Sequence, residues 1–413
     1  MLQHKEINKS QEKTKKHLLL EIKDYLDARF ELRRNNLTLE IEIRPIDDKD
    51  YKIMDEAFFN SLWLQLQLDG FKVSENILSK ILNSHLTKSY NPLEVYFENL
   101  PKHDYHDYIR ELAETLTVSN HIIDGVCLKD LWYPYLKKWL VGSVASALGK
   151  GVNHLCLILV GGQGLGKTTW LNKLCPDEVS EYLVCSHINP TLTDQNTANY
   201  LAEKWFVNID DQLETIFGKD FNSMKAIITA PSVTNRKTWH RFTKKRKRVC
   251  SFMGSVNEPK FLTDTENRRY LVFSVDDIDL EADLKMNKVW AQALSLFMEG
   301  YAYWFDRTEI EQLNKVNEIY RQIPPEEEWL LKMYTPCKPS NPRAKFMMPS
   351  EMLSQVNMMS GLRMSSRKLS KAMDKLGFGE AISKRIGGNP RKVYAVIERN
   401  ESDEREFQRS MVN

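Results

Sequence analysis

A run of nine residues near the middle of the chain has the composition and spacing of a loop that binds phosphate groups. Its glycines and its Lys-Thr pair match the pattern G-x-x-x-x-G-K-[ST], and the apolar residues 155–160 before it predict a buried strand. Glycines let backbone N–H groups converge on phosphate oxygens, and a helix is expected to follow over residues 170–174. The candidate phosphate-binding residues are Gly161, Gly162, Gln163, Gly164, Leu165, Gly166, Lys167, Thr168 and Thr169.

The residues at the end of this pattern suggest ATP and Mg²⁺ as cofactors. The ammonium group of Lys167 would reach the β- and γ-phosphates, and the hydroxyl of Thr168 would bind Mg²⁺. Such a site needs a carboxylate from a neighbouring strand, and residues 205–211 (WFVNIDD) end in two of them. Asp210 is predicted to hold Mg²⁺ and Asp211 to polarise the attacking water. The alternative is that the glycines form a simple turn and that the aspartates only end a strand.

Two further polar features lie downstream. Residues 249–256 predict a third strand that ends at Asn257, whose amide would sense the γ-phosphate and orient water. Arg268 and Arg269 precede another strand, residues 270–274, and one of them is predicted to complete the ATP site of a neighbouring subunit. The alternatives are a turn at the asparagine and structural salt bridges for the arginines.

A basic segment separates the acidic strand from the strand before Asn257. Eight of the 14 residues 235–248 (NRKTWHRFTKKRKR) are basic and none is acidic, and Trp239 and Phe242 lie among them. Charges that follow phosphates and rings that stack on bases suit single-stranded nucleic acid, whereas a solvated charged loop is the alternative. The candidate DNA contacts in this segment are Arg236, Lys237, Trp239, His240 and Arg241.

A second basic region occupies residues 347–398. A helix is expected to begin at Ser365 or Ser366, and a β-hairpin is expected to turn at residues 387–390. Two helices followed by a basic hairpin predict a winged helix, which binds either DNA or protein. The candidate DNA contacts here are Lys368, Lys371, Lys384 and Arg385.

The composition excludes several other classes of protein. Lys plus Arg number 58 and Asp plus Glu 56, so a basic surface must come from local clustering. The longest strong apolar run, residues 155–160, is far shorter than the ~20 residues of a bilayer span, which predicts no membrane partner. The N-terminus lacks the apolar core of a secretory signal, and the six cysteines never form CxxC. A cytoplasmic protein with reduced thiols is expected.

The pattern of apolar residues, prolines and charges predicts six segments. A hairpin is expected within residues 28–45, and helices near residues 55–68 and 74–86. The predicted segments are a small α+β accessory module (1–88), a helical lead-in (89–149), an α/β core (150–323), a linker (324–346), a winged-helix module (347–398) and a charged tail (399–413).

The order of these motifs resembles that of the virulence-associated protein E family. The resemblance rests on GGQGLGKTTW after a strand, then KWFVNIDD, a basic segment and SFMGSVNEPKFLTDTENRRYLVF, and it is strongest over residues 89–305. It implies an α/β fold, with an AAA+-like P-loop ATPase core related to superfamily 3 helicases, a helical N-terminal region and a C-terminal winged helix. It also implies a ring, expected to be a hexamer, with ATP sites between subunits, that acts on single-stranded or forked DNA.

The resemblance also assigns roles to individual residues. Lys167 and Thr168 correspond to the Walker A pair, and Asp210 and Asp211 to the end of Walker B. The family usually has Glu where Asp211 stands, and the shorter side chain is expected to slow turnover. The remaining correspondences are Asn257 as the sensor, Arg268 or Arg269 as the arginine finger, and residues 236–241 as the DNA-contacting segment.

The function expected from these features is that of an ATP-dependent DNA helicase or origin-unwinding ATPase. It would act in the replication of a phage, satellite or other mobile element. The alternative is a nucleotide-gated DNA-binding or regulatory protein with little or no unwinding. A small-molecule kinase is less consistent with the sequence, because it would leave the basic aromatic segment unexplained.

Overall fold

A computed structural model describes most of the chain and divides it into two compact units. The first unit comprises residues 1–261 and 265–320, and the second comprises residues 262–264 and 321–413. The predicted charged tail lies outside the described residues, apart from Arg399. The described residues are 17–123, 125–185, 188–210, 213, 221–235, 244–263 and 267–399.

The described residues form helices and short strands in a mixed order. None of the helices combines the length and the apolar composition that a bilayer span requires. The helices are α1 (17–27), α2 (Glu56–Leu68), α3 (Glu75–Leu82), α4 (Pro92–Glu98), α5 (Tyr108–Glu114), α6 (Leu128–Ala147), α7 (Lys167–Lys173), α8 (Gln195–Glu203), α9 (Phe221–Thr229), α10 (Met286–Met298), α11 (Arg307–Asn317), α12 (Pro325–Met333), α13 (Pro349–Ser360) and α14 (Ser366–Lys375). The strands are β1 (Phe30–Asn35), β2 (Ile41–Pro45), β3 (Lys52–Ile53), β4 (Lys88–Tyr90), β5 (Leu116–Val118), β6 (Ile122–Ile123), β7 (Val126–Cys127), β8 (Cys156–Val160), β9 (Leu183–Cys185), β10 (Phe206–Asn208), β11 (Ser232–Asn235), β12 (Lys244–Lys247), β13 (Ser251–Val256), β14 (Tyr270–Ile278), β15 (Tyr334–Pro336), β16 (Lys345–Met347), β17 (Ile382–Ile386) and β18 (Asn389–Glu398).

The amino-terminal part of the first unit is a four-stranded sheet in the order β3-β2-β1-β4, accompanied by three helices. β1 and β2 pair antiparallel, as the alternating pattern predicts, whereas β4 joins β1 in parallel. α2 begins where the side chain of Asp55 accepts a hydrogen bond from a backbone N–H, and Ser74 does the same for α3. The buried faces of α1, α2 and α3 meet in one apolar cluster that includes Ile22, Leu26, Leu62, Leu66, Leu78 and Leu82.

The segment predicted to be helical over residues 89–149 contains three short strands besides α4, α5 and α6. β5 pairs antiparallel with β14, while β6 and β7 form a small hairpin. Leu116 and Val118 are buried and Thr117 between them is exposed, and this period of two is that of a strand rather than a helix. α6 buries residues 139–147 without interruption, so this helix lies inside the unit.

The centre of the first unit is a six-stranded sheet with the strand order β5-β14-β8-β13-β10-β9. Its pairs are parallel except for β5 with β14. β8 and β13 are buried along their whole length, which is typical of parallel strands covered on both faces. Because parallel strands end on the same side, the segments after β8, β10 and β13 meet at one edge, called the carboxyl edge here. The segments before β8 and β14 lie at the opposite, amino edge.

The second unit contains α12, α13 and α14 and a sheet in which β18 pairs with β15, β16 and β17. Residues 324–346, which the sequence predicts to be a linker, form α12, β15 and β16 of this unit. Pro325 stands in the first turn of α12, where no hydrogen bond is lost, and Pro336 stands at the end of β15. The hairpin of β17 and β18 turns at residues 387–388, as predicted. The core of this unit includes Leu330, Tyr334, Met352, Val356, Leu369 and Met373.

Candidate functional site

The glycine-rich loop (residues 161–166) connects the end of β8 to the start of α7 at the carboxyl edge. Gly164 and Gly166 have φ values of 86° and 83°, in the left-handed region that residues with side chains disfavour. A Cβ atom at Gly161 would lie 2.7 Å from the carbonyl oxygen of Val275. The backbone path of this loop therefore requires the glycines that the sequence pattern contains.

Lys167, the first residue of α7, places its ammonium group inside the glycine-rich loop. The residue is only 5% exposed. Its Nζ donates hydrogen bonds to the carbonyl oxygens of Gly161 and Gly162, at 2.8 and 2.9 Å. It also donates to Oδ1 of Asn257 at 3.0 Å, so the structure brings the predicted lysine and the predicted asparagine together. These oxygens hold the charge at the centre of the loop, where it can meet a phosphate.

Thr168 and Asp210, the predicted metal ligands, also lie together. The Thr168 hydroxyl donates a hydrogen bond to Oδ2 of Asp210 at 2.7 Å, and the Ser255 hydroxyl donates to Oδ1 at 2.5 Å. The two hydroxyl oxygens are 3.3 Å apart. Sequence reasoning misses Ser255, although the period of two along β13 places it on the same face as Asn257.

The oxygen atoms of Thr168, Asp210 and Ser255 fit a hard divalent cation. Mg²⁺ prefers oxygen ligands, uses one or two carboxylates, and keeps waters or substrate phosphates as its other ligands. Within the described ranges, no group of three or more His, Cys, Asp or Glu side chains could hold a metal ion. A cation at these oxygens would take further ligands from a bound nucleotide and from water.

A second pair of side chains joins α7 to β10 beside this cluster. Nδ2 of Asn208 donates a hydrogen bond to Oδ1 of Asn172 at 2.7 Å. Asn172 stands four residues after Thr168, and Asn208 stands two residues before Asp210. The hydrogen bond between Asn172 and Asn208 therefore lies next to the one between Thr168 and Asp210, along the contact of α7 with β10. Asn208 is fully buried, and its Oδ1 has no hydrogen-bond partner. The helix is thereby fixed against the strand that carries the carboxylate.

Other predicted site residues are not brought to this cluster. Arg268 and Arg269 precede β14, at the amino edge, so neither lies beside Lys167 of the same chain. Asp211 falls outside the described residues. The same holds for the candidate DNA contacts between β11 and β12, which are Arg236, Lys237, Trp239, His240 and Arg241.

The described part of the basic segment contains both exposed and buried charges. Along β12 and just after it, Lys245 and Lys247 are exposed, whereas Arg246 and Arg248 are buried. Arg246 pairs with Glu203 at 3.0 Å. The period of two along a strand turns alternate residues inward, so two of the eight basic residues serve the fold.

The guanidinium group of Arg248 donates hydrogen bonds to backbone carbonyl groups and lies over the ring of Phe252, 5.0 Å from its centroid. The residue is 1% exposed, and its Nε donates to the carbonyl oxygen of Cys250 at 3.0 Å. Its Nη2 donates to the carbonyl oxygen of Asn153 at 2.9 Å, and its Nη1 bonds to Ile227 and Ile228 at the end of α9. One guanidinium group therefore joins three segments of the first unit.

The second unit presents the predicted basic residues of its helix and hairpin to solvent. Lys368 and Lys371 are exposed on α14, and Lys384 and Arg385 are exposed on β17. The ammonium group of Lys384 lies over the ring of Phe346, 3.6 Å from its centroid. All four charges belong to this one compact unit.

Comparisons with known proteins relate the chain to one family. Residues 107–322 match the family described as virulence-associated protein E-like domain. A solved structure described as the apo NrS-1 C-terminal region is 14% identical, covers 91% of this chain and 98% of its own, and has a TM-score of 0.47. Another, described as SCCmec type IV Cch, an active helicase, is 8% identical, covers 90% and 93%, and has a TM-score of 0.37. No curated protein matches the chain.

Proposed function

The chain belongs to the virulence-associated protein E-like family, and from this premise we propose that it is an ATP-dependent DNA helicase or origin-unwinding ATPase. It would use ATP and Mg²⁺ and act in the replication of a phage, satellite or other mobile element. One observation supports this most directly. Lys167, Thr168, Asp210 and Asn257 come from three separate parts of the chain and meet at the carboxyl edge.

The proposed fold of residues 150–323 is an AAA+-like P-loop ATPase core, with the nucleotide at the glycine-rich loop. Backbone N–H groups of the loop and the ammonium group of Lys167 would hold the phosphates. Thr168 and Asp210 would hold Mg²⁺, which supplies positive charge that stabilises the transferring phosphoryl group. Asn257 would orient the attacking water, and Asp211 would accept its proton.

The placement of the two arginines supports an assembly in which copies share ATP sites. Arg268 and Arg269 lie at the amino edge, at the opposite end of the strands from Lys167, so neither reaches a nucleotide on the glycine-rich loop of its own chain, and one of them would serve a nucleotide held by another copy. We propose a ring, with six copies as the expected number. A Lys167→Ala chain and a chain with the arginine finger replaced should each lose ATP turnover when tested alone. Mixing the two chains should restore part of that turnover.

The proposed DNA contacts lie in two places. The segment between β11 and β12 would follow single-stranded or forked DNA inside the ring, with residues 236–241 making the contacts. The module of residues 347–398, proposed to be a winged helix, would contact DNA through the exposed Lys368 and Lys371 of α14 and through Lys384 and Arg385 of β17.

The proposal is tested by steady-state ATP hydrolysis with and without single-stranded DNA, followed by strand displacement on forked DNA. Turnover that DNA stimulates and that Lys167→Ala abolishes would support it. Nucleotide binding and duplex binding without stimulated turnover or strand separation would contradict it. That result would favour a nucleotide-gated DNA-binding protein, in which the shorter Asp211 supports little hydrolysis.

A further inference from the structure

A cavity of about 330 Å³ opens at the amino edge of the central sheet. Its walls come from the segment before β8, the end of α9, the residues before β14 and the segment between α10 and α11. Among the described residues that line it, none is Asp or Glu. The lining residues used below are Asn153, His154, Arg268, Arg269, Tyr303 and Trp304.

The charged side chains among the described lining residues of this cavity are those of Arg268 and Arg269, apart from the titratable His154. Arg269 is partly buried, and its Nε is buried without a hydrogen-bond partner. Arg268 beside it is exposed. The carboxylate of Glu309, which follows the cavity wall in sequence, is already paired with Lys138 at 2.6 Å. A buried guanidinium N–H that lacks an acceptor is costly, so an anion entering the cavity gains a strong partner.

The described groups that line the cavity next to these arginines supply no negative charge. Burial, followed by the charges of Arg248 and Arg269, lowers the pKa of His154. Arg248 lies behind the wall, because its Nη2 donates to the carbonyl oxygen of Asn153. The three guanidinium groups therefore add positive potential to one small space.

Aromatic rings form the other side of the cavity. Trp304 is 61% exposed, which is unusual for the largest apolar side chain. The ring of Tyr303 meets it edge to face, with 5.5 Å between the ring centroids. A Cβ atom at Gly151 would lie 2.1 Å from the Tyr303 hydroxyl oxygen, so glycine at this position lets Tyr303 pack closely. Tyr303 therefore packs against one side of the Trp304 ring, and much of the remaining ring surface is exposed.

We propose that this cavity binds one nucleotide unit, with its phosphate on Arg269 and its base against Trp304. Guanidinium groups pair with phosphate through two parallel hydrogen bonds, and exposed aromatic rings stack on bases without regard to sequence. The unit comes either from single-stranded DNA or from a free nucleotide. Arg268, which is more exposed, is then left to serve the nucleotide held by another copy.

This site is separate from the glycine-rich loop of the same chain. Residue 155 precedes β8 and the glycine-rich loop follows it, so the strand, at ~3.3 Å per residue, puts about 17 Å between them. A nucleotide on Lys167 therefore does not fill the cavity. The proposal does not depend on ATP hydrolysis at the carboxyl edge.

Photocrosslinking of the full chain to a single-stranded oligonucleotide that carries 5-bromodeoxyuridine tests the proposal, with the crosslinked residue identified by mass spectrometry. Crosslinking at Trp304 or Tyr303 is expected, and Arg269→Gln should lower its yield about 10-fold. Arg307→Gln is the matched control, because Arg307 has a 93% exposed side chain and lies outside the cavity, and it should leave the yield unchanged.

Competition by AMP and a substitution of Trp304 complete the experiment. Excess AMP that suppresses the crosslink would support a cavity open to free nucleotides, and a crosslink that AMP leaves intact would support DNA as the source. Trp304→Leu, at an exposed position, should weaken oligonucleotide binding about 5-fold or more while the melting temperature stays the same. The absence of crosslinks at residues 303–304, or an equal yield in Arg269→Gln, would overturn the proposal.

Discussion

The two edges of the central sheet satisfy their polar groups in different ways. At the carboxyl edge, Lys167 is surrounded by oxygens, and Asp210 accepts hydrogen bonds from two hydroxyl groups. At the amino edge, Arg269 has a buried N–H without a partner, and the described residues that line the cavity include no carboxylate. The first arrangement suits a ligand that brings both a cation and phosphates, whereas the second suits a bare anion. Binding at the two edges should therefore differ in its need for Mg²⁺.

The largest effect is expected at the carboxyl edge. Lys167→Ala should lower ATP turnover about 100-fold or more, because one preorganised charge over the phosphates is lost. Steady-state hydrolysis measures it. Lys173→Ala is the matched control, since this exposed lysine stands on the same helix and should leave turnover within about 2-fold. Equal losses in both variants would argue against a special role for the loop.

A smaller effect is expected for the metal ligand. Asp210→Asn should raise the Mg²⁺ concentration needed for half-maximal nucleotide binding roughly 10- to 100-fold, because a charged ligand becomes neutral. Nucleotide binding at varied Mg²⁺ measures it. The crosslink at the amino edge should persist in this variant and in EDTA. If chelation abolished both, the two edges would not differ as described.

Replacing Arg248 should affect stability, because its contacts are with the backbone. Arg248→Met is expected to cost about 3 kcal/mol or more of unfolding free energy, since buried carbonyl groups lose their donors. Urea denaturation followed by tryptophan fluorescence measures the shift in the transition. Arg307→Met, at an exposed position, should change it by no more than about 0.5 kcal/mol. Equal midpoints would contradict the structural role of Arg248.

The smallest effect concerns pH. The folded state lowers the pKa of His154 below its usual value of about 6.5, through burial and the facing charges of Arg248 and Arg269. As pH falls through 6.5, the unfolded chain takes up a proton that the folded chain resists, so stability falls. His154→Gln should reduce this loss between pH 7 and pH 5.5. An identical pH dependence of the urea midpoint in both proteins would contradict it.

Much of the carboxyl edge could be predicted from the sequence because its groups follow local patterns. The glycines, Lys167 and Thr168 are contiguous, and Asp210 and Asn257 each follow an apolar strand. Parallel strands then bring their ends together without further information. Ser255 and Asn172 were not predicted, since single polar residues inside apolar runs have no pattern of their own. The hairpin of β1 and β2 was predicted for the same local reason.

Features that depend on tertiary contacts were not predictable. The prediction of a linker over residues 324–346 was wrong, because prolines also occur at the starts of helices and at the ends of strands. Only the packing around Leu330 shows that this segment contributes to a core. The sequence does not distinguish the buried Arg246 and Arg248 from the exposed lysines at positions 245 and 247. Their burial depends on Glu203 and on carbonyl groups far along the chain. The cavity at the amino edge combines four separate segments, which no linear pattern indicates.

Calorimetric titration of the full chain with ATP, with and without Mg²⁺, tests the central claim most directly. The account predicts one Mg²⁺-dependent ATP site per chain, with an affinity for ATP at least about 100-fold lower in Lys167→Ala than in Lys173→Ala. The same affinity in both variants, or binding that is unchanged when Mg²⁺ is chelated, would contradict the assignment of the carboxyl edge as the ATP site.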